Sequence, residues 1–201
     1  MDNEEKKIDL WFSIGSTYTY LTVTRIKDIV KKNNINVNLK PFNVRTIMIE
    51  MDNRPFTPSK KIKVDHMWRD IQRRAEIYKI VVPSLPIPYP LKNMELANQI
   101  ALLGVNEGWC LEYLELTYHN WFINKLPAGE DENLILTFKK LNINYEEIKK
   151  KASTNEVKNH LIEQTKIAKS KGIFGAPTFI VNKELFWGDD RFEDAIKWYY
   201  R

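Results

Sequence analysis

The sequence predicts an α/β fold: a mixed four-stranded sheet interrupted by a large α-helical insertion. Three observations carry this reading. The opening of the chain changes its apolar period from two to that of a helix and back to two, which spells strand, helix, strand. The middle shows helical periodicity almost throughout. The closing part reads helix, strand, tight turn, strand, helix.

The elements follow in order. Ile8, Leu10, Phe12 and Ile14 alternate as a strand, with Asp9 and Trp11 on its other face, and Gly15-Ser16 breaks it. From Thr17, Val23, Ile26 and Val30 fall at helical spacing until Asn33-Asn34. Ile35, Val37 and Leu39 alternate as a second strand closed by Pro41, and such a unit implies a right-handed parallel pair. Val64, Met67, Trp68, Ile71, Ala75 and Tyr78 form a helical stripe. Pro83, Pro86, Pro88 and Pro90 mark an extended connector, because proline restricts itself and its predecessor. Helices are expected from Asn93 to Gly104 or Gly108, over Leu111–Phe122, and near 134–141 and 145–151, with a turn at Pro127-Ala128-Gly129. Ser153 and Glu156 have capping-box spacing before a helix that should stop at Gly172. Pro177–Val181 and Glu184–Trp187 read as a hairpin turning at Asn182-Lys183, and Phe192, Ala195, Ile196 and Tyr199 as the buried face of a last helix. This order fits a thioredoxin-like core made of residues 1–45 and 155–201, with residues 46–154 as the helical insertion domain.

Composition narrows the function classes. At 201 residues, 43% hydrophobic and 28% charged, the chain is long enough to bury a full core. One cysteine, Cys110, rules out an internal disulfide framework, a cysteine zinc cage and a CxxC pair, and a buried, inert thiol is expected there. Seven glycines leave little room for glycine-rich phosphate loops. His66, His119 and His160 lack HExxH or other metal spacing, so no metal is expected. The polar start and the lack of a run of about 20 apolar residues lead us to expect no signal peptide, no membrane partner and a cytoplasmic location. The net charge, 31 − 26 = +5, reads as a lysine-rich surface interleaved with acids, and the scattered aromatics give no base-stacking pattern, so no nucleic-acid partner is expected.

Three segments can carry chemistry. In Gly172-Ile173-Phe174-Gly175-Ala176-Pro177-Thr178-Phe179, Pro177 starts a strand. It is either an ordinary strand-entrance proline or the cis proline of a thioredoxin-like fold, which would leave the backbone of Ala176 free to pair with an extended ligand. In Gly15-Ser16-Thr17-Tyr18, the position where a thioredoxin fold keeps its redox cysteines holds Ser16. Its hydroxyl can cap the following helix, or it can hydrogen-bond an anion such as a thiolate. In Trp187-Gly188-Asp189-Asp190-Arg191, one aspartate can cap the last helix, or the pair can receive a ligand ammonium group. Arg45 and Arg54 are either exposed charges or bidentate partners for a substrate carboxylate.

Together with Asp52-Asn53-Arg54-Pro55, the block Arg69-Asp70 with Arg73, and the connector around Tyr89-Pro90, these segments resemble the 2-hydroxychromene-2-carboxylate isomerase family over nearly the whole chain. That family belongs with kappa-class glutathione transferases inside the DsbA-like thioredoxin group. The resemblance implies a glutathione-dependent enzyme and a homodimer. Ser16 matches the serine that hydrogen-bonds the glutathione sulfur, and Thr17 and Tyr18 line the same turn. Asn53 matches an asparagine near glutathione, Ala176 before Pro177 matches the residue that pairs with its cysteinyl backbone, and Asp189 and Asp190 match the γ-glutamyl site. Arg45, Arg54 and Tyr89 are the substrate candidates.

The family reaction adds the glutathione thiolate to the chromene ring, opens it, lets a bond rotate and releases the thiolate. Ser16 would stabilise charge and not attack. This chain has Thr17 where the family has proline after the serine, Asp52 where glycine is common, and Asp189 where the family often has an uncharged residue. The same motifs would serve a kappa-like transferase acting on electrophiles. A non-catalytic glutathione- or peptide-binding protein is the third reading, while a disulfide oxidoreductase would need a cysteine at the Ser16 turn.

Overall fold

A computed structural model describes residues 6–53 and 58–201. Among them, four strands form one mixed sheet in the order β2-β1-β3-β4. β1 (Ile8–Phe12) pairs parallel with β2 (Val37–Pro41), with Leu10 opposite Leu39. It pairs antiparallel with β3 (Thr178–Val181), which pairs antiparallel with β4 (Glu184–Trp187). The hairpin turn at Asn182 and Lys183 has φ of 49° and 74°, the two positive values a type I′ turn requires. Asp9 and Trp11 do lie on the opposite face from Leu10, but that face is covered too, so Trp11 is buried.

Helix α1 (Thr19–Asn33) crosses from β1 to β2 and starts two residues later than the periodicity indicates. The inserted segment opens with a short helix, α2 (Val44–Glu50), which the sequence pattern does not announce. Asn43 caps it by accepting from the amides of Arg45 and Thr46. After a 3-10 turn at Pro58–Lys60 come α3 (Lys61–Tyr78), α4 (Met94–Glu107), α5 (Cys110–Phe122), α6 (Asp131–Leu141) and α7 (Tyr145–Ala152). α8 (Asn155–Ser170) returns the chain to the sheet, and α9 (Phe192–Tyr199) closes it.

The capping box expected at Ser153 is displaced by one residue. Thr154 is the N-cap, accepting from the Val157 amide, while the Ser153 hydroxyl turns back to Lys149 and finishes α7. Gly172 has φ +78°, and its amide bonds the Lys169 carbonyl, so the expected glycine stop is present. Nor does either aspartate cap α9: its N-cap is Arg191, without a side-chain bond.

One hydrophobic cluster runs through the sheet and the inserted helices. Phe179 of β3 stacks on Phe192 of α9 at 4.4 Å, and α4 and α8 pack against β2. Tyr20 of α1 stacks on Phe122 of α5 at 4.2 Å. Each such fully buried aromatic contributes about 2–3 kcal/mol by burial, so the insertion is joined to the sheet by its core and not merely tethered. No helix among the described residues is long and apolar enough to cross a membrane.

Candidate functional site

A cleft of about 690 Å³ opens where β1 hands over to α1. Its lining brings together Gly15, Ser16, Thr17 and Tyr18 from that turn with Gly175 and Ala176 from the approach to β3. The turn needs glycine at one point, Gly15 at φ +132°, a value that L side chains rarely adopt. Ser16 follows it and its amide closes the turn on the Ser13 carbonyl at 3.0 Å.

The Ser16 side chain does not cap α1. That helix has Tyr18 at its N-cap position and no side-chain cap bond. The Ser16 hydroxyl instead donates to the Ala176 carbonyl at 2.6 Å, 160 residues away in sequence. The Ala176–Pro177 peptide is cis. The Ala176 amide has no hydrogen-bond partner among the described residues, so one of its two backbone groups is committed and the other is open.

The neighbours of Ser16 are already engaged. Thr17 is buried and its hydroxyl points to the Met67 sulfur at 3.0 Å. The Tyr18 hydroxyl donates to Asp70 at 3.0 Å. Burial and that hydrogen bond push the Tyr18 pKa up to about 12, so it remains a neutral donor. Burial pulls Asp70 upward, but the hydrogen bonds from Arg73 and Tyr18 and the nearby charge of Arg74 outweigh it and leave its pKa low.

The rest of the cleft is apolar walls with cationic groups. Arg45 and Tyr89, the substrate candidates, line it, and Arg45 also donates to the Leu91 carbonyl at 3.0 Å. Burial raises the Tyr89 pKa, with Arg45 pulling the other way. Asn53 lies at the rim and is exposed, its amide fixed to the Met48 carbonyl at 2.8 Å. Just before it, Asp52 has φ +52°, a left-handed value that aspartate tolerates better than most residues. Arg54 lies outside the described residues. Lys60, Lys63 and His66 also line the cleft, and no carboxylate does among the described residues. Sequence reasoning missed these three. Their signal is faint: Lys63 and His66 stand at i and i+3 on α3, beside the apolar stripe that includes Met67.

Trp187 and Phe174 form the cleft's aromatic edge, with rings 4.7 Å apart in a T-shaped contact. The indole lies so close to Gly175 that a Cβ there would collide with its Nε1.

The aspartate pair is divided between two environments, neither in the cleft lining. Asp189 is 1% exposed and accepts from Arg25 at 2.8 Å, Thr22 at 3.1 Å and Arg74 at 3.3 Å. Arg25 in turn reaches Glu193 at 2.8 Å and lies over the Tyr78 ring. Both carboxylate oxygens of Asp189 are therefore spent inside the protein, and an ammonium group could reach it only by displacing a guanidinium. Asp190 is exposed and pairs with Arg191 at 3.1 Å.

Two inserted helices reach the Ser16 turn from behind. Asn98 of α4 accepts from the Ile14 amide at 2.8 Å and donates to the Ile14 carbonyl at 2.9 Å. Tyr118 of α5 donates to the Ser16 carbonyl at 2.9 Å and lies 3.3 Å from the Ser13 carbonyl. Cys110, at the start of α5, is buried, and that burial raises its thiol pKa well above the ordinary value.

Comparison with known proteins agrees with this architecture. The family model for the DSBA-like thioredoxin domain matches residues 7–197. A protein named 2-hydroxychromene-2-carboxylate isomerase from Pseudomonas putida is 23% identical over 92% of this chain and 89% of its own. One of the same name from Sphingobium xenophagum is 24% identical over 94% and 95%. A solved 2-hydroxychromene-2-carboxylate isomerase superposes with a TM-score of 0.82 at 22% identity, covering 96% of both chains. The cytosolic disulfide reductase DsbM of Pseudomonas aeruginosa, solved with GSH, has a TM-score of 0.63 at 10% identity and covers 96% of both. The chain belongs to the DSBA-like thioredoxin domain family.

Proposed function

We propose that this member of the family is an isomerase of an aromatic carboxylate, the activity its relatives are named for, and that it works with glutathione. One observation carries the reading. In a chain whose only thiol is buried elsewhere, a serine hydroxyl and the backbone before a cis proline meet in a large, apolar, cation-lined cleft.

The residues fit glutathione at its sulfur and cysteinyl backbone. The Ser16 hydroxyl now donates to a neutral carbonyl, and its proton can rotate to an anion, where a charge-assisted bond is stronger. The N-terminus of the 15-residue α1 adds positive potential at the same turn. The open Ala176 amide offers one strand-like hydrogen bond to an extended chain. DsbM, a protein of the same fold solved together with GSH, supports the pairing of this fold with that ligand. At the γ-glutamyl end, Asp189 is held by two buried or half-buried arginines, which leaves the exposed Asp190, whose ion pair is with the exposed Arg191, as the acidic candidate beside the cleft.

Glutathione, when bound, supplies the thiolate nucleophile that this chain lacks at the site. The chain does the rest. Ser16 favours the ionised sulfur and takes no covalent part. Met48, Met67, Phe174 and Trp187 exclude water from one side of the substrate, and Arg45, Lys60 and Lys63 neutralise its carboxylate. Thr17 and Tyr18 shape the wall, with hydroxyls already spent on Met67 and Asp70.

The test is the decay of chromene absorbance with and without glutathione. A glutathione-dependent rate is expected; the same slow rate in both samples would defeat the reading. Conjugation of a halogenated electrophile without chromene turnover would move the assignment to a transferase, and tight glutathione binding without either activity would make the protein a binding module. We also propose a homodimer, checked by light scattering.

A further inference from the structure

We propose that Tyr118 and Asn98, both on inserted helices, are positioning residues that set the aim of the Ser16 hydroxyl. The inference rests on the role given to Ser16 above.

The turn from Ser13 to Ser16 leaves the sheet and must present Ser16 to Ala176 across the cleft. Its own closure is one bond, from the Ser16 amide to the Ser13 carbonyl at 3.0 Å. The Ser13 hydroxyl accepts from the Val44 amide of α2 at 3.3 Å, and two side chains of the longer inserted helices hold the backbone of the turn. Asn98 grips both the amide and the carbonyl of Ile14, as a neighbouring strand would, and is itself anchored by donating to the Met94 carbonyl at 2.7 Å. Tyr118 holds the Ser16 carbonyl directly at 2.9 Å. Both side chains are fully buried, so water cannot replace either bond. The Ser16 carbonyl carbon and the Cβ that bears Oγ branch from the same Cα. A peptide fixed at its carbonyl therefore restricts where that Oγ can point, and the 2.6 Å bond to Ala176 reports its present aim. Misplacement by about 1 Å can cost on the order of 100-fold in rate.

Tyr118→Phe removes one hydroxyl and keeps the ring that packs beside Trp121 and Phe122. The natural control is Tyr113→Phe. Tyr113 is equally buried on the same helix and also donates to a backbone carbonyl, that of Ala97 at 3.1 Å, which is not part of the turn. Steady-state kinetics are measured for wild type and both variants with chromene and glutathione. Tyr118→Phe is expected to lower kcat by roughly 10–100-fold with KM for glutathione changed less than about threefold, and Tyr113→Phe to change kcat less than about twofold. Equal losses in the two variants, or none in either, would overturn the proposal.

Hydrogen exchange of the Ser16 amide gives a readout that needs no substrate. It should accelerate in Tyr118→Phe while the Leu10 and Phe12 amides keep their rates, and an unchanged Ser16 amide would overturn the clamp. If wild type shows no glutathione-dependent turnover, the functional reading has failed. The exchange result still decides whether Tyr118 holds the turn.

Discussion

Ser16 stands before α1 with one side-chain hydrogen bond, to a neutral carbonyl 2.6 Å away, on the lining of an open cleft. Asp189 stands before α9 with two guanidinium groups and a hydroxyl on its carboxylate, at 1% exposure. Both come from polar motifs beside glycines, and both look like binding residues when the motif is read alone. The difference is what each would lose on meeting a ligand. A hydroxyl exchanges a neutral carbonyl acceptor for an anionic one at little cost. A buried carboxylate that leaves its arginines strands charges in a poorly solvated place. The first is suited to chemistry and the second to joining α1, α3 and α9.

The largest expected effect tests the second half of this contrast. Asp189→Asn keeps the shape and removes the charge, leaving Arg74 without its carboxylate and Arg25 with only Glu193. Urea unfolding should show a loss of about 3 kcal/mol. A loss below about 0.5 kcal/mol would mean that the pair is open to solvent and could serve a ligand after all.

Ser16→Ala is the mirror experiment. Stability should change by no more than about 1 kcal/mol, while turnover falls on the order of 100-fold, the usual cost of removing one donor from a developing anion. Glutathione affinity should fall far less, because the backbone contact at Ala176 remains. Wild-type turnover in this variant would remove Ser16 from the mechanism.

Gly175→Ala asks whether the aromatic edge matters. The new methyl group displaces the half-exposed Trp187 indole, at a cost of about 1 kcal/mol by overpacking. The expected signature is a raised KM for the aromatic substrate with kcat nearly intact. If KM is unchanged, Trp187 is not part of the substrate wall.

The smallest expected effect is at Cys110. Burial raises its thiol pKa, so alkylation of the native protein under neutral conditions should leave it unmodified by mass spectrometry. Rapid modification would show that the chain carries a reactive thiol of its own and weaken the case for a borrowed one.

Much of the fold is legible in the sequence because strands and helices are set by local period. The alternation of Ile8, Leu10 and Phe12, the stripe on α3 and the stop at Gly172 all depend on near neighbours. The departures are local as well. α2 escapes notice because its seven residues give fewer than two turns of periodicity, and Thr154 provides one residue later the cap that the spacing places at Ser153. The candidate site is half legible. Ser16 and Ala176 each belong to a recognisable segment, and Trp187 lies inside another.

The sequence by itself determined the order of the strands and of every helix longer than two turns, the lack of a redox cysteine at the first turn and the type of group placed there. Only the tertiary structure decided what those groups do. It put Ser16 on the Ala176 carbonyl, closed Asp189 in a cage of two arginines, and brought Asn98 and Tyr118 to the back of the turn. The reason is physical. A period of two or 3.6 residues is written in adjacent side chains, whereas a hydrogen bond spanning 160 residues exists only after packing has fixed both ends. A carboxylate can be a ligand site or an internal anchor, and the burial that the fold gives it makes the choice.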